Sequence, residues 1–149
     1  IRKAAQKRWK KELPQESMEM IFSATERHPY YLIRLCRMLW DDTSPPTAET
    51  IESTWLDYVD VQKADWISET ISQLTAKQRA ILAGLAKAPE KEPMGRDFSN
   101  KLTLASSSIQ RILSGLLKKD FIYKDQEDGC YHVLNPAIKT VLAQDKFFD

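Results

Sequence analysis

The stretch "SSSIQRILSGLLKKDFIYKDQEDGCYHVL", residues 106–134, decides the fold because its hydrophobic period changes partway along. Ile109, Ile112, Leu113, Leu116 and Leu117 recur at helical spacing, which predicts one helix with these five residues turned inward. From Phe121 the pattern switches to two short alternating runs, "FIYK" and "CYHVL", on either side of "DQEDG". Asp128-Gly129 between such runs signals a hairpin, since glycine enters the left-handed backbone region without steric cost.

Working outward, "LTAKQRAILAGLAKAP" (74–89) places Thr75 and Gln78 at capping-box spacing ahead of Ile81, Leu82 and Leu85. Pro89 ends that helix. "KEPMGRDFSNKL" (91–102) predicts a short helix around Phe98 and Leu102. Asn135 before Pro136 predicts the start of a last helix that runs to about Ala143. Three helices followed by a β-hairpin is the order of a winged helix-turn-helix, with the hairpin as its wing.

Upstream, apolar residues also follow a helical period. Residues 1–12 are basic and polar and read as the tail of a helix from a preceding domain, until Leu13-Pro14 breaks the chain. Met18, Ile21, Phe22 and Thr25 mark a helix over about 15–26. Pro29 suits the first turn of the next, where a missing N–H is harmless, and Leu32, Leu35, Cys36 and Leu39 form its stripe. "DDTSPPT" (41–47) is a loop ending in the N-cap Thr47. Ile51, Trp55, Tyr58 and Val59, then Trp66, Ile67, Ile71 and Leu74, mark two further helical stretches. The expected class is therefore mainly α: a small helical bundle followed by a winged helix-turn-helix.

Composition narrows the function. With 42% hydrophobic residues the chain can bury a core, and no apolar run approaches the roughly 20 residues of a membrane span. No signal peptide opens the sequence, which predicts a cytoplasmic protein without membrane contact. A chain that opens on Ile1 reads as a fragment of something longer. Cys36 and Cys130 stand far apart without metal-ligand spacing, so both read as reduced packing residues and no metal site is expected. Charge is segregated. Residues 1–40 carry nine Lys/Arg against four acids, residues 41–74 eight acids against Lys63, and residues 75–149 twelve bases against nine acids.

"RHPYYLIRLCRMLW" (27–40), "LTAKQRAILAGLAK" (74–87) and "SSSIQRILSGLLKKDFIYKDQEDGCYHVLNPAIK" (106–139) together resemble the C-terminal part of a P-loop ATPase. The likeness is to the bacterial and archaeal AAA+/STAND-type group related to origin-recognition ATPases. It implies a helical lid over 1–60 (with 1–12 the tail of the core), a connecting helix over 61–74 and a winged helix over 75–149. In that group a "GHPYYLQ"-like signature packs its proline against the adenine of bound nucleotide. The resemblance thus nominates Pro29 with His28, Tyr30 and Arg27, the last replacing the group's glycine, and Arg34 and Arg37 as secondary candidates for phosphate or core-domain contacts. It implies ATP with Mg2+ as cofactor of the full-length protein, and a P-loop core as the lid's partner. No GxxxxGK[ST] loop occurs in these residues, so the fragment by itself is not expected to hydrolyse ATP.

In a DNA-binding winged helix, outward residues of the third helix meet the major groove. Here these are Ser107, Ser108, Gln110, Arg111, Ser114 and Lys118, with Lys124 a backbone contact from the wing. Gln and Arg suit base edges, and Ser hydroxyls suit phosphate. The acidic wing tip, Asp125, Glu127 and Asp128, works against DNA, so a protein partner stays open beside double-stranded DNA. His28 and His132 are the only histidines, and neither has a nucleophile or carboxylate placed beside it by spacing that would make it catalytic. The alternative reading is a free-standing winged-helix transcription regulator whose N-terminal helices dimerise.

Overall fold

The computed structural model describes residues 1–41 and 43–144. Asp42 in the 41–47 loop and residues 145–149 at the end of the expected winged-helix segment lie outside the described residues. The chain divides into two compact units, Ile1–Val61 and Gln62–Asp149.

The first unit is helical: α1 Arg2–Trp9, α2 Gln15–Thr25, α3 Pro29–Leu39 and α4 Ala48–Gln62. Two consecutive left-handed residues, Glu26 (φ 47°) and Arg27 (φ 58°), end α2 and turn the chain into α3. His28 is extended at the N-cap and Pro29 occupies the first turn, as its fixed φ and missing N–H favour. Ile21, Leu35, Ile51 and Val59 are fully buried and join the helices into one core. Two buried hydroxyls are satisfied by carbonyls: Ser17 Oγ donates to Pro46 O (2.8 Å) and Thr25 Oγ1 to Ile21 O (2.7 Å). Thr47 caps α4 by accepting the Thr50 N–H at 3.2 Å.

The second unit opens with a π-helical turn Lys63–Ile67 and then α5 Ser68–Ser72. There follow α6 Ala76–Lys87, α7 Arg96–Leu102, α8 Ser106–Lys118, β1 Ile122–Lys124, β2 Tyr131–Val133 and α9 Pro136–Gln144. The expected capping box is formed at both ends: Thr75 Oγ1 accepts from Gln78 N (3.2 Å) and Gln78 Oε1 from Thr75 N (2.9 Å). Asn135 Oδ1 likewise accepts the N–H groups of Ala137 (2.9 Å) and Ile138 (3.1 Å) at the start of α9. Ile81, Leu82 and Leu85 of α6 are fully buried, with Ile109 and Leu116 of α8 and Ala137 and Leu142 of α9 also buried in this unit.

The strands pair antiparallel in the register Ile122–Val133, Tyr123–His132 and Lys124–Tyr131. Gly129 adopts φ 73° at the wing tip, the conformation its residue type favours. Tyr131 also bridges Glu90 on its other side, exchanging N–H···O bonds of 2.8 and 3.3 Å. The fold is thus mainly helical with a two-stranded hairpin near the C-terminus, as expected. One inward residue is corrected. Leu117 is 36% exposed, because it sits at the edge of the stripe that Leu113 and Leu116 centre.

Candidate functional site

Two places gather the nominated residues, one in each unit. In the second unit, α8 is positioned by its leading turn. Ser106 Oγ donates to Met94 O (2.9 Å), Ser99 Oγ of α7 to Leu104 O (2.5 Å), and Thr103 enters the left-handed region (φ 53°) to make the α7–α8 corner. Ala105 provides no side-chain cap, and no acid occupies the first turn, so the positive end of the helix is not neutralised locally. Ser107, Gln110, Arg111, Ser114 and Lys118 are exposed along one side, and Ser108 is half-buried. That stripe offers hydroxyl, amide, guanidinium and ammonium donors. Leu117 lies among them.

On the wing, exposed Lys124 lies over the Tyr131 ring at 5.3 Å. The tip's aspartates fold back on their own turn. Asp125 Oδ1 accepts from Glu127 N (2.6 Å), Asp128 Oδ1 from Cys130 N (2.6 Å), and Asp128 Oδ2 stands 2.9 Å from His132 Nε2. The Cys130 N–H, with His132 adding, holds the Asp128 carboxyl below the usual range. Burial and then the charge of Asp128 push the Cys130 thiol up. His132 stacks on Tyr123 at 5.3 Å. Asp125, Asp128 and His132 each bring a ligand atom within 4.8 Å of the others, and these are the described residues with the donor set for a metal ion.

In the first unit, residues 27–30 form a corner at the head of α3. Arg27 holds a left-handed φ of 58°, a conformation that glycine adopts without steric cost. Its guanidinium lies 5.0 Å from the centre of the Phe22 ring, on α2. Pro29 is exposed and Tyr30 is 55% exposed. Tyr31 turns inward instead, edge-on to Trp55 (5.8 Å) and Tyr58 (6.3 Å) of α4. His28 packs edge-on to Tyr31 at 5.1 Å. Its Nδ1 and the Tyr58 hydroxyl are buried without a hydrogen-bond partner among the described residues. Burial, then the neighbouring Tyr30 and Tyr31, push the Tyr58 phenol up, while Arg34 lies 5.8 Å from its ring. Tyr58 was read from sequence only as a packing residue.

A helix-turn-helix followed by a hairpin with an exposed third-helix face defines the class of winged-helix domains. The family described as "Probable winged helix domain" matches residues 66–144, more than half of the chain, and the chain belongs to it. No curated protein and no solved structure matches the chain. Among the described residues no helix is long and apolar enough to cross a membrane.

Proposed function

We propose that the chain binds duplex DNA through α8 and the wing, as the C-terminal regulatory part of a nucleotide-switched P-loop ATPase. The observation that carries the DNA reading is the exposed face of α8, where Gln110 and Arg111 follow a first turn without side-chain cap or acid. In this reading Arg111 and Gln110 address base edges, while Ser107, Ser108 and the helix start address phosphate. Ser114, Lys118 and Lys124 add contacts along the backbone. The acidic tip works against phosphate, since the turn N–H groups that hold Asp125 and Asp128 orient these carboxylates without removing their charge. Exposed Leu117 on the same face favours the second reading, a protein partner.

The ATPase half rests on the resemblance of residues 27–40 and is supported by the head of α3. Pro29 and Tyr30 offer flat exposed surface of the kind that fits an adenine. Arg27 would serve through its backbone, since its side chain is turned onto Phe22. ATP with Mg2+ would be held chiefly by a P-loop core in the parent protein, which supplies the phosphoryl chemistry.

The DNA reading is tested by fluorescence anisotropy with a labelled duplex at about 50 and about 200 mM salt. Binding should weaken steeply with salt, and Lys118→Ala should lower the log–log slope by about one. Binding that is absent at the lower salt, or indifferent to salt, leaves the protein-partner reading in its place. In the parent ATPase, Pro29→Ala should weaken ATP binding, and unchanged affinity would remove the corner from the nucleotide site.

A further inference from the structure

Within the first unit, α1 and α3 flank an apolar groove of about 460 Å3. Ala5, Leu32, Cys36 and Leu39 lie along it, and Trp9, Ile33 and Trp40 stand beside them. Ile33 is 55% and Trp40 38% exposed, large apolar surfaces side by side on one face. The two tryptophan rings pack at 5.4 Å, and Arg8 Nε donates to the Trp40 carbonyl at 3.2 Å, which ties α1 to the end of α3.

Two arginines stand at this groove: Arg37 of α3 lines it, and Arg8 of α1 reaches the Trp40 carbonyl at its end, whereas Arg2 and Lys3 line a separate hollow with Glu12. Arg37 is the single charged side chain among the described residues lining the groove. The floor is recessed, with Ala5 and Leu39 buried, so a flat bilayer would touch only the rims. A convex helix reaches into such a groove through residues spaced i, i+3/i+4 and i+7. Its flanks would then lie against Arg37 and Arg8.

We propose that the α1–α3 groove docks an acidic amphipathic helix of a protein partner. Apolar side chains of that helix cover Ile33, Cys36 and the tryptophan pair, and its carboxylates meet Arg37 and Arg8. The hydrophobic contact provides most of the affinity, and the charges select the partner and its direction.

Two synthetic helical peptides test this directly on the whole chain. Both carry the same leucine face, one with glutamate flanks and the other with lysine flanks. The glutamate peptide should bind at least about tenfold tighter, with the difference shrinking as salt rises. Ile33→Glu should abolish its binding, and Arg37→Glu should weaken it about tenfold while strengthening the lysine peptide. Both side chains are exposed, so circular dichroism and the melting temperature should hold, and both variants are read only with the fold so confirmed. Equal affinity for the two peptides, binding of neither, or an Arg37→Glu variant that discriminates as wild type does would each overturn the proposal. So would tighter association with anionic lipid vesicles than with the glutamate peptide, because that assigns the face to a membrane surface.

Discussion

At the scale of single residues, Arg27 is the position where backbone and side chain disagree. A φ of 58° costs a side-chain-bearing residue about 1 kcal/mol relative to glycine. Arg27→Gly should therefore be more stable than Arg27→Ala by roughly 1 kcal/mol, read as a shift in urea midpoint. Equal midpoints would mean that the turn is not strained. Only the resemblance marked Arg27 as a misfit, and its backbone cause was not legible, since nothing in "TERHP" states the sign of φ. The wing's Asp128 gives a pH dependence. Its folded-state pKa lies below the ordinary 3.8, so its contribution is full above that value and is lost as pH falls through the lower, folded one. The Cys130 amide resonance should shift over that acidic window in wild type and stay level in Asp128→Asn; an unshifted wild-type resonance would detach the carboxylate from the turn.

At the scale of elements, α8 shows what periodicity specifies and where it blurs. Its stripe of Ile109, Leu113 and Leu116 was legible because burial follows the helical period, and Leu117 was not because it stands one position off the stripe's centre. The two leucines should behave differently. Leu116→Ala removes a fully buried side chain and should cost about 2–5 kcal/mol, whereas Leu117→Ala should cost under about 1 kcal/mol. Comparable losses in chemical denaturation would mean that α8 is rotated from this placement. The Glu90–Tyr131 bridge escaped sequence reading because one residue pair has no alternation. The π-helical turn Lys63–Ile67 escaped it for a related reason: a single turn of changed pitch leaves the surrounding apolar spacing nearly intact.

At the scale of the whole molecule, the winged helix was readable because its parts are local. A capped helix, two more helices and an Asp-Gly hairpin occur in an order that few folds share. The proposed nucleotide role rests on resemblance alone, since adenine contact at Pro29 would be completed by a P-loop that these residues do not contain. Each unit has a fully buried core of its own, Leu35 and Ile51 in the first, Ile81, Leu85 and Leu116 in the second. A fragment spanning residues 62–149 should therefore fold without the first unit, show one cooperative thermal transition and give dispersed amide resonances. If the proposed DNA surface is complete in α8 and the wing, that fragment should also hold duplex DNA within about threefold of the intact chain, with the same salt slope. A folded fragment with a markedly smaller slope would place part of the phosphate contact on the basic helices of the first unit. A fragment that fails to fold would mean that the second core depends on residues upstream of Gln62.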